Sequence, residues 1–160
     1  MNTKNNSGFT MIEIITVLIV MGIITAFAVG RVADNKPELI AQKEVLKVHL
    51  RYAQSRSMNS NDNYGIISSG NTYSLFRASA AFLVNFPGEQ LNYIDLSALG
   101  LSLSIITDGN IVCFDSKGIP YIDFDTSIAD NLQDGDRTLT LSSGTDSESI
   151  TITPNTGFIQ

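Results

Sequence analysis

Residues 9–30 read FTMIEIITVLIVMGIITAFAVG, a run of 22 residues in which Glu13 is the single charge. Wound as a helix at 1.5 Å per residue, it would be about 33 Å long. That matches a hydrocarbon core of about 30 Å. Length alone fits a single-span anchor, but Glu13 does not. An ionised carboxylate inside a membrane helix costs about 2.5–3.5 kcal/mol or more, so such a residue normally has a partner or a purpose. The nearby cation that could serve is a free amine, made by cutting the chain just before Phe9. Phe9 and Glu13 are spaced i, i+4, which puts that amine and the carboxylate on one helix face.

A secretory signal is the competing reading, with cleavage after the run, where Ala26, Ala28 and Gly30 supply small residues. It fits poorly. The apolar run is long, a carboxylate sits five residues into it, and a helical pattern resumes soon after it.

Outward from this stretch the charge is unevenly spread. Residues 1–8 carry only Lys4, residues 31–60 hold six basic against three acidic residues, and residues 61–160 hold three against twelve. The chain is thus a greasy stem, a basic arm at +3 and an acidic head at −9. Over all 160 residues the net charge is −6, which argues against a protein that grips nucleic acid through its phosphates. One cysteine, Cys113, excludes an internal disulfide and a multi-cysteine metal site, and one histidine, His49, excludes any pair of them.

The segment Ser7-Gly8-Phe9-Thr10-Met11-Ile12-Glu13, behind a short polar leader with Lys4, resembles the type IV prepilin signal. The resemblance implies that an inner-membrane prepilin peptidase cuts between Gly8 and Phe9 and N-methylates Phe9. It also implies that Glu13 pairs with the amine of an adjoining subunit during filament assembly. Gly22 falls where such proteins often carry a helix-loosening glycine, whereas Gly30 stands where many major pilins have proline.

Beyond the stem, Asp34, Asn35 and Pro37 mark a break, with Pro37 biasing Lys36 away from helical geometry. From Glu38 a helical pattern returns. Leu39, Ala41, Val45, Leu46, Val48, Leu50, Tyr52 and Ala53 form one broad apolar face, and Lys43, Lys47, Arg51 and Gln54 lie on the other. The helix is predicted to stop near Met58, before the turn-rich residues 59–63. His49 lies near the apolar arc, where a part-buried, hydrogen-bonded structural role is its default reading. The head reads as short strands at 64–68, 72–77, 82–86, 91–94, 101–106, 111–114, 121–124, 138–141 and 149–153, separated by glycine turns, the last two forming a hairpin. A long N-terminal helix followed by many strands predicts an α+β, pilin-like fold, the amphipathic half of the helix packed on an antiparallel sheet. Four parts are expected: a cleaved leader over 1–8, a transmembrane and filament-core helix over 9–30, an amphipathic arm over 31–60 and a β-rich head over 61–160.

Three downstream stretches are similar to the minor pseudopilins of the general secretion pathway protein H and fimbrial protein T family. They are residues 50–57 (LRYAQSRS), the Phe114-x-x-x-Gly118-x-Pro120 turn, and a closing strand over 150–159 with Asn155-Thr156-Gly157. Major pilins commonly carry a C-terminal disulfide loop, which one cysteine cannot make.

No phosphate loop or nucleophile elbow is present. Asp123, Asp125, Asp130, Asp134 and Asp136 form an oxygen-rich stretch that could take calcium, but without EF-hand spacing, so a solvated acidic loop is favoured. Cys113 sits in the apolar IVCF and reads as a buried thiol. The tail, residues 156–160, has no cation. Lys43, Lys47 and Arg51 form a basic stripe read as a contact surface for acidic heads of neighbouring subunits. The function expected is that of a non-enzymatic minor pilin or pseudopilin with no cofactor. Its partners would be the prepilin peptidase, other pilin-like subunits, an inner-membrane assembly platform and membrane lipid, with its head in the bacterial periplasm. A major pilin, or a membrane-tethered binding or hydrolytic domain using the same signal, stands as the alternative.

Overall fold

In the computed structural model the described residues are 9–32, 36–105, 110–121, 137–144 and 146–160, without the side chains of 28–32 and 79–81. The chain divides into two compact units, one up to residue 35 and one from residue 36 onward.

The first unit holds helix α1, Met11–Val32, which runs unbroken through Gly22 and Gly30. Its start is set by Thr10. The carbonyl and hydroxyl oxygens of Thr10 both accept the backbone N–H of Glu13, at 3.1 and 3.3 Å. Thr10-x-x-Glu13 is therefore a helix-capping sequence. The other polar side chains within the apolar run are satisfied inside the helix. Thr16 donates to the Ile12 carbonyl at 2.6 Å and Thr25 to the Met21 carbonyl at 2.7 Å.

The second unit begins with helix α2, Lys36–Met58. It starts two residues before the predicted Glu38, because Pro37 in a first turn needs no N–H and already has helical φ. It ends at Met58, where the Asn59 side chain donates to the Ser55 carbonyl at 2.7 Å. The buried stripe is narrower than the sequence pattern: Leu39, Leu46, Leu50, Ala53 and Ser57 are inside, whereas Ala41, Val45 and Val48 are exposed. The helix meets its sheets along one seam, so only side chains within a narrow arc reach the core.

Among the described residues nine strands follow: β1 (Tyr64–Ser68), β2 (Thr72–Arg77), β3 (Ser79–Val84), β4 (Ile94–Asp95), β5 (Ser102–Ile105), β6 (Ile111–Phe114), β7 (Pro120–Tyr121), β8 (Arg137–Ser143) and β9 (Asp146–Ile152). One antiparallel sheet has the order β3-β2-β1-β6-β7, with β4 also paired to β2, and a second has the order β5-β8-β9. Helix α2 packs on β1 and β6 of the first sheet and on β8 and β9 of the second. The two sheets join where the Ser68 hydroxyl donates to the Leu103 carbonyl and the Leu103 N–H donates to the Gly70 carbonyl, both at 2.8 Å. Leu39, Leu46, Leu50, Ile66, Leu75, Val112, Phe114, Leu139, Leu141, Ile150 and Ile152 close the common core.

Strands 64–68, 72–77 and 111–114 have the predicted bounds, and the closing hairpin is longer than predicted at both arms. The strand expected at 101–106 is Ser102–Ile105, with residue 106 outside the described ones, and three more strands differ further. The one expected at 82–86 runs Ser79–Val84, starting after Ala78 turns at φ +60° and the register shifts between Phe76 and Arg77. Phe86 leaves the strand and is buried instead against a histidine. The one expected at 91–94 shrinks to Ile94–Asp95, with Leu91 exposed. The one expected at 121–124 is Pro120–Tyr121, and residues 122–124 lie outside the described ones.

Gly65 permits the first sheet to close. It pairs with Phe76 on one side and Cys113 on the other. A Cβ there would come within 2.5 Å of the Phe76 ring and 2.6 Å of the Cys113 Cα, and would also strike the Val112 carbonyl oxygen. Two of those neighbours are backbone and cannot swing aside. Gly65→Ala should lower the unfolding free energy by about 3 kcal/mol, the upper part of the overpacking range. Thermal melts of the full chain followed by circular dichroism check this, with Gly22→Ala, where a Cβ meets nothing, as the silent control.

Candidate functional site

Helix α1 presents apolar side chains on every side. Phe9 is 82% exposed and Phe27 76%, and each large apolar residue between them is at least half exposed or nearly so. A helix that is hydrophobic all round belongs in an apolar surrounding, either lipid or a bundle of like helices. Among the described residues no helix is long and apolar enough to cross a membrane. The described side chains of α1 end at Phe27, while in the sequence the apolar run continues to Gly30. Phe9 and Glu13 share one shallow apolar cleft with Ile14, Val17 and Leu18. Among the described residues no cation pairs with Glu13. Gly8 lies outside them.

On α2 the basic stripe is engaged within the chain. Lys43 Nζ lies 2.9 Å from a Glu148 carboxylate oxygen on β9, and this ammonium holds the Glu148 carboxyl below the usual range. Lys47 lies 3.0 Å from Glu44 one turn away, and the Arg51 guanidinium donates to the Ile159 carbonyl at 3.4 Å. Contacts from Lys43 and Lys47 to neighbouring subunits would have to compete with these pairs.

Gln54 does more than the sequence reading gave it. Its amide nitrogen donates to the carbonyls of Gly118 and Gly157, both at 2.9 Å. It thereby draws together the helix end, the 114–120 turn and the closing segment. These are the three stretches whose resemblance to minor pseudopilins looked unconnected in sequence. Asp115 shapes the turn by accepting the N–H groups of Lys117 and Ile119 at 2.9 and 2.8 Å. Gly157 has φ +64°, and a Cβ there would collide with the Gly118 carbonyl oxygen. Spacing gave no signal for this clamp, because Gln54 lies 64 residues from Gly118 and 103 from Gly157.

His49 is half-buried, stacked on Phe86 at 4.0 Å between ring centres, with Nδ1 2.9 Å from the Tyr73 hydroxyl. Burial lowers its pKa below 6.5, partly offset by the charge of Glu89, and burial raises that of Tyr73. One hydrogen bond joins Nδ1 and the Tyr73 hydroxyl, and the ring tautomer sets which of them donates. Cys113 is buried beside Phe76 and Ile111. Asp123, Asp125, Asp130, Asp134 and Asp136 lie outside the described residues. Among the described residues no three His, Cys, Asp or Glu side chains come together as a metal site.

Protonating His49 puts a charge in a half-buried site stacked on Phe86. A histidine whose folded pKa is depressed stabilises the fold above its unfolded pKa, and that contribution is lost as pH falls below 6.5 toward the lower folded value. The melting temperature should therefore drop over this window, and His49→Gln should flatten the slope there, as read by melts across a pH series.

Residues 3–29 match the model of the prokaryotic N-terminal methylation motif. No curated protein sequence matches the chain. Among solved structures, the type IV minor pilin FimU of Pseudomonas aeruginosa is similar, with 18% identity and a TM-score of 0.55 over 78% of this chain and 88% of that one. The minor pseudopilin EpsH of the type 2 secretion system of Vibrio cholerae is similar at 13% identity and a TM-score of 0.53, over 77% and 94%. At such identities the likeness is one of fold. The chain thus matches an N-terminal methylation motif over residues 3–29 and has the α+β fold seen in that minor pilin and that minor pseudopilin.

Proposed function

We propose that the protein is a minor subunit of a type IV pilus or a type II secretion pseudopilus, made as a prepilin and acting without catalysis of its own. The observation that carries this reading is α1, apolar on all faces, with one carboxylate in its first turn. Residues 9–30 would hold the precursor in the inner membrane with its head in the periplasm. A prepilin peptidase would cut between Gly8 and Phe9, and the new amine would be methylated. An assembly platform would then lift the chain out of lipid into a bundle of like helices. Lateral burial supplies cohesion at about 25 cal/mol per Å² of apolar surface, but it is non-directional and sets no register. Glu13 supplies the register, because a carboxylate in such a bundle is stable only opposite a cation. The Phe9 amine of an adjoining subunit is that cation.

Purified from membranes of its native host, the mature chain should begin at an N-methylated Phe9, as read by intact mass and N-terminal sequencing. A chain beginning at Met1 would leave Glu13 without its cation and would end this reading. Glu13→Ala leaves a neighbour's amine unpaired in apolar surroundings, at a cost of about 3–5 kcal/mol. Its recovery in sheared filaments relative to membranes should fall about 100-fold, with the head's melting curve unchanged. Normal co-assembly of this variant would refute the register role.

A further inference from the structure

A groove of about 470 Å³ lies between the C-terminal half of α2 and the closing segment, bounded by Arg51, Met58, Lys117, Gly157 and Phe158. Two of its features are unlike the rest of the head. The first is charge. Arg51 and Lys117 are both exposed, and among the described residues neither forms an ion pair with a carboxylate. Asp115, the acid nearest Lys117 in sequence, is turned into its own loop, where it accepts two backbone N–H groups and the Tyr121 hydroxyl at 3.4 Å. In a head with three basic and twelve acidic residues, this groove is a local reversal of sign.

The second feature is an aromatic ring held out on a fixed frame. Phe158 is 63% exposed, yet the chain on either side of it is pinned. Its carbonyl accepts the Thr153 N–H at 2.9 Å, Ile159 bridges to Ile152, and the Gln160 N–H donates to the Thr151 carbonyl at 2.9 Å. Gln54 fixes Gly157 from below. The exposure of Phe158 is thus built into the backbone, and Met58, 54% exposed, lines the same groove. A rigid aromatic beside uncompensated cations is the composition of an interface anchor.

We propose that this groove docks an extended acidic segment of a different pilin-like subunit, with Arg51 and Lys117 taking its carboxylates and Phe158 and Met58 taking an apolar side chain between them. The proposal rests on the filament reading above. Charge complementarity selects the occupant. Two cations match a short segment bearing two or so carboxylates. Nucleic acid would need a longer basic track, and Lys43 and Lys47 are already neutralised within the chain while the remaining head repels a polyanion.

The test uses the full chain in its native host, with photoreactive benzoylphenylalanine in place of Phe158. After irradiation, the cross-linked peptide is identified by mass spectrometry. The expected adduct lies on an Asp- or Glu-bearing segment of another pilin-like chain. It should fall about tenfold or more in the Arg51→Glu, Lys117→Glu double variant and persist with Arg51→Lys, Lys117→Arg. Should the charge-reversed protein melt lower than wild type, Arg51→Gln with Lys117→Gln replaces it. An adduct on a second copy of this chain, on nucleic acid or on lipid overturns the proposal. So does no adduct, or one indifferent to the charge reversal. The N-terminal mass from the same cells separates the two readings: a chain starting at Met1 ends the filament reading, and one starting at Phe9 with no adduct ends the groove alone.

Discussion

Both sheets of the head close on one narrow line of side chains, Leu39, Leu46, Leu50, Ala53 and Ser57. Neither the β3-β2-β1-β6-β7 sheet nor the three-stranded β5-β8-β9 sheet has another helix of more than one turn among the described residues. Each buried leucine contributes about 1.5–3 kcal/mol by leaving water for the shared core. The small residues at the C-terminal end of the line let the backbones approach. Ser57 also makes that end directional, since its hydroxyl accepts the Tyr64 N–H at 2.7 Å and donates to the Tyr64 carbonyl at 3.3 Å. Helix and first strand are thereby locked in register across the turn at residues 59–63.

Polar side chains on the shoulders of that line finish what the leucines begin. On one shoulder Lys43 ties the helix to β9 through Glu148 and Gln54 ties it to two loop carbonyls, and on the other His49 fills the gap over Tyr73 and Phe86. Each reaches a segment far away in sequence. Gln54 matters most, because the Gly118 and Gly157 carbonyls sit in a turn and a tail with few ladder bonds of their own. A buried carbonyl without a donor would cost about 1–3 kcal/mol. One amide serving both is what permits the tail to fold back and present Phe158.

Much of this was legible in sequence where a local signal exists. The strands at 64–68, 72–77 and 111–114 stand out because β-branched and aromatic residues are bracketed by turn formers, and the helix end at Met58 because Asn and Ser crowd behind it. The α+β fold follows from one long helical pattern ahead of many short apolar runs. What was not legible is set by tertiary contact. Val45 and Val48 look like core by type but lie outside the seam, and Phe86 looks like strand but is recruited by His49. The start of β3 depends on Ala78 adopting a left-handed φ, which no alanine announces. At the N-terminus, Glu13 was legible as an anomaly of charge, whereas the capping role of Thr10 was hidden inside the same motif.

That double use of residues 9–13 bears on why the motif has its length. On the proposed reading, a cut before Phe9 would leave the new amine one residue outside the N-cap Thr10, where the helix has not yet begun. The carboxylate of Glu13 stands one turn in, at the point where Thr10 fixes the first helical N–H. Such an amine would be on a free end while the carboxylate is on a rigid rod. If the amine of one chain must find the carboxylate of another, this is the favourable division of freedom. The flexible partner searches at little cost in order, and the rigid one defines where along the axis the search ends. A threonine cap between them keeps the two roles apart, since without it the helix start could fray past Glu13 and the register would blur. The apolar run that follows carries no other charge that could offer a competing stop.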